Sequence, residues 1–81
     1  MTGRTTAGLS IVVPLFNEAA GLASLHARLT EVARRLKEKR GLHCEAVYVD
    51  DGSRDATLAI ARELPANGID VQVVALSRNF G

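Results

Sequence analysis

The chain is 81 residues long, 47% hydrophobic and 23% charged, with a net charge of +1. This is ordinary globular composition, which argues against disorder, against a polyanion-binding surface and, with Cys44 as the sole cysteine, against a disulfide framework. A domain of this size buries only about 60% of its unfolded surface, so its stability is marginal.

Met1 to Gly8 reads as a polar tail whose one charged side chain is Arg4. It lacks the apolar core of a signal peptide, and no stretch is long enough to span a membrane, so a cytoplasmic location is expected. Leu9-Ser10-Ile11-Val12-Val13 is nearly continuous, apolar and β-branched, and it meets Pro14. Such a run fits a central strand of a parallel sheet, covered on both faces. A helix is predicted from about Glu18 to Arg40, with Leu22, Leu25, Leu29, Val32 and Leu36 forming one stripe. Asn17 is its predicted N-cap, Glu18 lies beside the positive end of the dipole, and Gly41 is the predicted C-cap. The basic cluster Arg34, Arg35, Lys37, Lys39 and Arg40 reads as a solvated face that complements the helix C-terminus.

Cys44-Glu45-Ala46-Val47-Tyr48-Val49 is the second predicted strand, with Cys44 acting as a small buried hydrophobe. A second helix is expected from Arg54 or Asp55 to Leu64, with Leu58, Ala61 and Leu64 on one side. Ser53, Asp55 and Thr57 are assigned to capping it. Pro65 and Asn67-Gly68 should end it in a turn, followed by a strand over Val71 to Leu76 and a loop at Ser77-Arg78-Asn79-Phe80-Gly81. The order β-α-β-α-β predicts an open parallel α/β sheet with right-handed crossovers. His26 and His43 have no partners at metal-ligand spacing and are read as packing or surface residues.

In such a sheet the strand ends share one edge, where ligands bind. The loops Pro14-Leu15-Phe16-Asn17-Glu18 and Asp50-Asp51-Gly52-Ser53 should therefore converge on one pocket. Carboxylates are acceptor-only groups, which suits a ligand rich in donors such as a nucleoside. Taken alone, Glu18 also fits a first-turn acid, and Asp-Gly-Ser also fits a common turn. Gly52 permits a positive φ or a close ligand approach.

Three pieces in this order carry a family resemblance: Ile11 to Glu18, Val49-Asp50-Asp51-Gly52-Ser53-Arg54-Asp55-Ala56-Thr57, and Leu76-Ser77-Arg78-Asn79-Phe80-Gly81. Together they resemble family-2 glycosyltransferases of the GT-A fold, in particular the branch that makes polyprenyl- or dolichyl-phosphate-linked sugars. The resemblance implies that residues 9–81 are the N-terminal, nucleotide-binding half of an incomplete, Rossmann-like GT-A domain. It implies that Pro14 and Phe16 line the base and ribose, that Glu18 accepts ribose hydroxyls, and that Asp51 holds the base edge. Asp50 would support the turn or share the site, and Arg78 would help neutralise the diphosphate.

The implied donor is a UDP- or GDP-sugar, and the implied acceptor is a lipid phosphate at a membrane of the cell envelope, reached through segments beyond position 81. No nucleic-acid partner is expected. The family works with a divalent cation, Mg2+ or Mn2+. Its Asp-x-Asp metal motif and acidic catalytic base do not occur in these 81 residues, so no catalytic or metal residue is assigned and the fragment alone is expected to be inactive. Three alternatives compete, one of them a degenerate, ligand-free structural fragment that binding data would exclude. A receiver-like signalling module would put its acidic pair after the first strand, and a sugar nucleotidyltransferase would put a glycine-rich basic loop there.

Overall fold

A computed structural model describes residues 8–76. The expectations for the polar tail before Gly8, and for Arg78 and the rest of the last loop, lie outside the described residues. The elements are β1 (Gly8–Leu15), α1 (Leu22–Arg40), β2 (His43–Asp50), α2 (Thr57–Arg62) and β3 (Asp70–Ala75). All strand pairs are parallel, in the order β1-β2-β3. The predicted α/β class and β-α-β-α-β order are thus the observed ones.

The middle strand is β2, whereas β1 has one strand neighbour among the described residues. The β1 strand begins at Gly8, which pairs with His43, and runs on through Pro14 to Leu15. Pro14 has no N–H to give to a ladder, and it lies in the β1–β2 register opposite Val49. Consecutive right-handed crossovers put α1 and α2 on the same face. On β2 the residues facing them, Cys44, Ala46, Tyr48 and Asp50, are buried, while the alternate residues are half-buried. The opposite face exposes Val12, at 64% of its surface, and carries a Ser10 Oγ to Glu45 Oε1 hydrogen bond of 2.9 Å.

The core joins Leu15, Leu22, Ala33, Cys44, Ala46, Tyr48, Ala61 and Ile69. The α1 stripe is rotated from the one predicted. His26 and Ala33 are buried on it, and Val32 is 47% exposed. At about 100° per residue, position 33 lies within about 20° of Leu22, and position 32 lies about 80° away. Gly41 caps α1 as expected, at φ 66°, with Gly41 N–H donating to Lys37 O and Leu42 N–H to Leu36 O. The basic residues of the last turn are exposed, and Arg34 and Arg35 pair with Glu31 and Glu38 along the helix. Shorter than predicted, α2 buries Thr57 and Ala61, with Ile60 and Leu64 against the core instead of Leu58.

His26 is a packing residue with two hydrogen bonds, one of them buried and the other partly so. Its Nε2 lies 2.7 Å from Pro65 O, and its Nδ1 lies 2.7 Å from the Tyr48 hydroxyl. A carbonyl only accepts, so Nε2 carries a proton and donates; in that tautomer the Tyr48 hydroxyl donates to Nδ1. Burial pushes the Tyr48 phenol above its ordinary pKa and keeps it a donor. This chain ties α1, β2 and the segment after α2 together. Tyr48→Phe removes the donor and leaves a buried ring nitrogen unsatisfied. Urea unfolding is expected to show a loss of about 1–3 kcal/mol, against no loss if the bond were made equally well by water.

Candidate functional site

The register levels Leu15, Asp50 and Ala75, so the three strands end side by side. The ladder runs one step further, with Asp51 N–H donating to Leu15 O and Leu76 N–H to Asp50 O, each at 2.9 Å. The β1–α1 and β2–α2 loops therefore leave the sheet next to each other and lock together.

Two relays of the same form make the lock. In the first, Asn17 N–H donates to Ser53 Oγ at 2.8 Å, and Ser53 Oγ donates to Asp50 Oδ1 at 2.5 Å. In the second, Glu18 N–H donates to Thr57 Oγ1 at 2.7 Å, and Thr57 Oγ1 donates to Asp55 Oδ1. Each hydroxyl is used in both directions, which strengthens both of its bonds. Three further bonds surround them. Ser53 N–H reaches Asp50 Oδ2 at 3.1 Å, Arg54 N–H reaches Asn17 Oδ1 at 2.9 Å, and Ala19 N–H reaches Asp55 Oδ2 at 3.3 Å.

The capping assignments change accordingly. Asn17 is not the N-cap of α1; that position is Gly21, without a side-chain cap bond. Asn17 instead stands at φ 53°, a left-handed conformation that asparagine tolerates better than most residues. Glu18 is outside the first turn of α1, which holds no acid, and its carbonyl accepts from Gly21 and Leu22 N–H. Ser53 does not cap α2, whose N-cap is Ala56. Asp55 accepts the Thr57 N–H at 2.9 Å. The Thr57 hydroxyl first, and then the Thr57 N–H, hold the Asp55 carboxyl below its ordinary pKa.

The acids separate by role. Asp50 is 3% exposed, and both its oxygens accept from Ser53, so it supports the turn. Asp51, half-buried, lines a cavity of about 460 Å³ with Phe16, Gly52 and Arg54. Gly52 takes φ 77°, the positive value its position suggested. Phe16 is 55% exposed at the cavity mouth. Glu18 is exposed on the same rim, although it is not one of the cavity's walls. Pro14 is exposed on β1, level with Val49.

Arg54 is a cavity residue to which the sequence reading gave no role. Its sign was its place three residues after Asp51 in the same loop. Among the described residues no three His, Cys, Asp or Glu side chains come together to hold a metal ion. No described helix is long and apolar enough to cross a membrane.

The sequence profile described as glycosyl transferase family 2 matches residues 10–81. An uncharacterized glycosyltransferase of Synechocystis sp. is 42% identical over 76 residues, covering 94% of this chain and 23% of that protein. The dodecaprenyl-phosphate galacturonate synthase of Rhizobium johnstonii is 39% identical over 74 residues, covering 90% of this chain and 21% of that protein. A prophage bactoprenol glucosyl transferase homolog of Escherichia coli is 33% identical over 73 residues, covering 90% and 22%. The chain thus spans less than a quarter of the length of these relatives. No solved structure matches it.

The relays predict a graded response at Asn17. Asn17→Gly keeps the left-handed backbone but loses the bond to Arg54 N–H, and should cost about 1 kcal/mol. Asn17→Ala also strains the backbone and should cost about 1–2 kcal/mol more. Urea unfolding measures both, and equal losses for the two variants would show that the left-handed turn does not matter.

Proposed function

The chain belongs to glycosyl transferase family 2, and from that membership and the geometry of the rim we propose that it is the donor-binding front of an enzyme that transfers a sugar from a nucleoside diphosphate to polyprenyl phosphate. The observation that carries this reading is the cavity at the C-terminal rim, with an acceptor-only carboxylate, Asp51, beside the ring of Phe16. A base offers N–H edges and a π face, and this pair complements both. Asp51 accepts the N–H edge of uracil or guanine. Phe16 and Pro14 flank the base and ribose.

Glu18 completes the proposal from the neighbouring loop. Its backbone is pinned by Thr57 and its side chain is exposed, which supports a role in accepting ribose hydroxyls. Asp50 keeps the turn in place so that Asp51 and Gly52 present themselves to the ligand. In this role assignment the 81 residues recognise the donor and do not turn it over. The acceptor class is supported by the names of relatives, which include a dodecaprenyl-phosphate galacturonate synthase and undecaprenyl-phosphate transferases.

Titration of the protein with uridine and guanosine diphosphates tests the reading. Binding of one of them is expected, and Asp51→Ala should weaken it by about tenfold, the value of a hydrogen bond to a charged group. Equal affinity of wild type and variant would remove Asp51 from the site.

A further inference from the structure

We propose that Arg54 is the anion-binding residue of this cavity and takes a phosphate of the bound nucleotide. The inference rests on the donor-nucleotide reading and assigns to it a group that the reading does not use. Arg54 is the one basic side chain among the residues lining the cavity. It follows Asp51 by three positions, with Gly52 between them at φ 77°, so no side chain at that position fills the space. The cavity therefore carries an acceptor-only group and a donor-only group on one short loop. A nucleoside diphosphate has matching ends: N–H and O–H donors on base and sugar, and anionic oxygens on the phosphates.

The backbone of Arg54 is already fixed. Its N–H donates to Asn17 Oδ1 at 2.9 Å, and Ser53 before it is held by Asp50. The side chain is exposed, so its guanidinium meets an incoming phosphate without first leaving a buried site. A planar guanidinium can give two parallel hydrogen bonds to one phosphate. The basic cluster of the C-terminal half of α1 does not compete for this role. Arg34 is engaged by Glu31 and Glu38, and α1 runs antiparallel to the strands, which puts its C-terminal turn at the opposite end of the sheet from the rim.

The test is calorimetric titration of the protein and of Arg54→Met, Arg54→Lys and Asp51→Ala with uridine, guanosine, their 5′-diphosphates and inorganic diphosphate. Arg54→Met should weaken the nucleoside diphosphates about tenfold and leave the nucleosides unchanged. Arg54→Lys should recover part of the loss, and the difference should shrink as salt is raised. Asp51→Ala should weaken nucleosides and diphosphates alike. Unchanged diphosphate affinity in Arg54→Met overturns the assignment while leaving the nucleotide reading in place. So does an equal loss for nucleosides and diphosphates, because the arginine would then shape the cavity without touching phosphate. Wild-type protein that binds none of the nucleosides or diphosphates overturns both.

Discussion

The rim depends on two backbone N–H groups, Asn17 and Glu18, each held by a hydroxyl that is itself held by a carboxylate. Successive N–H groups of one loop are thereby fastened to Ser53 and Thr57 of the other. A loop between strand and helix would otherwise carry unsatisfied N–H donors, each costly when withdrawn from water. Here those donors become the means by which the loops find each other. The side chains that project from the lock, Phe16, Glu18, Asp51 and Arg54, inherit its order. A binding site whose groups are fixed beforehand loses less entropy when a ligand arrives.

This arrangement explains why the middle strand carries the paired acids. Loops on both flanks can reach the end of β2, whereas the end of an outer strand has one neighbour only. Asp50 extends the ladder in both directions: its carbonyl accepts from Leu76, and its carboxylate anchors Ser53, which holds the loop after β1. Burying that carboxylate is tolerable because both oxygens are occupied. Asp51, one residue on and next to the turn at Gly52, lines the cavity instead. One residue of offset thus divides a pair of identical side chains into a buried acid that holds the turn and an acid in the cavity wall.

Much of this was legible in the sequence, and the part that was not has a common physical cause. The apolar runs fixed the strands, and the spacing of Leu22, Leu25, Leu29 and Leu36 fixed α1 to within a rotation. Gly41 announced the end of α1, and Gly52 announced its positive φ. Family membership, now shown, removes the receiver-like and nucleotidyltransferase alternatives. What local reading misassigned were Asn17, Ser53 and Thr57, whereas Asp55 does accept an N–H at the start of α2 and reaches the other loop as well. Each is a good capping residue by composition, so the nearest helix looked like its partner. Their actual partners are 36 to 39 positions away for the bonds between loops, a separation that local pattern cannot report. His26 was hidden in the same way: its partners Tyr48 and Pro65 come from β2 and from beyond α2.

The sheet itself imposes a further division. Both helices cover one face, and the other face leaves Val12 64% exposed beside the half-buried Val47. Parallel sheets are ordinarily covered on both sides, so this face calls for a partner layer. The relays do not need that layer. All their bonds are made between residues 17–19 and 50–57, above the strand ends and not through the bare face. The order of the rim and the covering of the sheet are therefore separable. The geometry that orients Asp51 and Arg54 is set by the two loops, while the stability of the sheet beneath them depends on what packs over Val12.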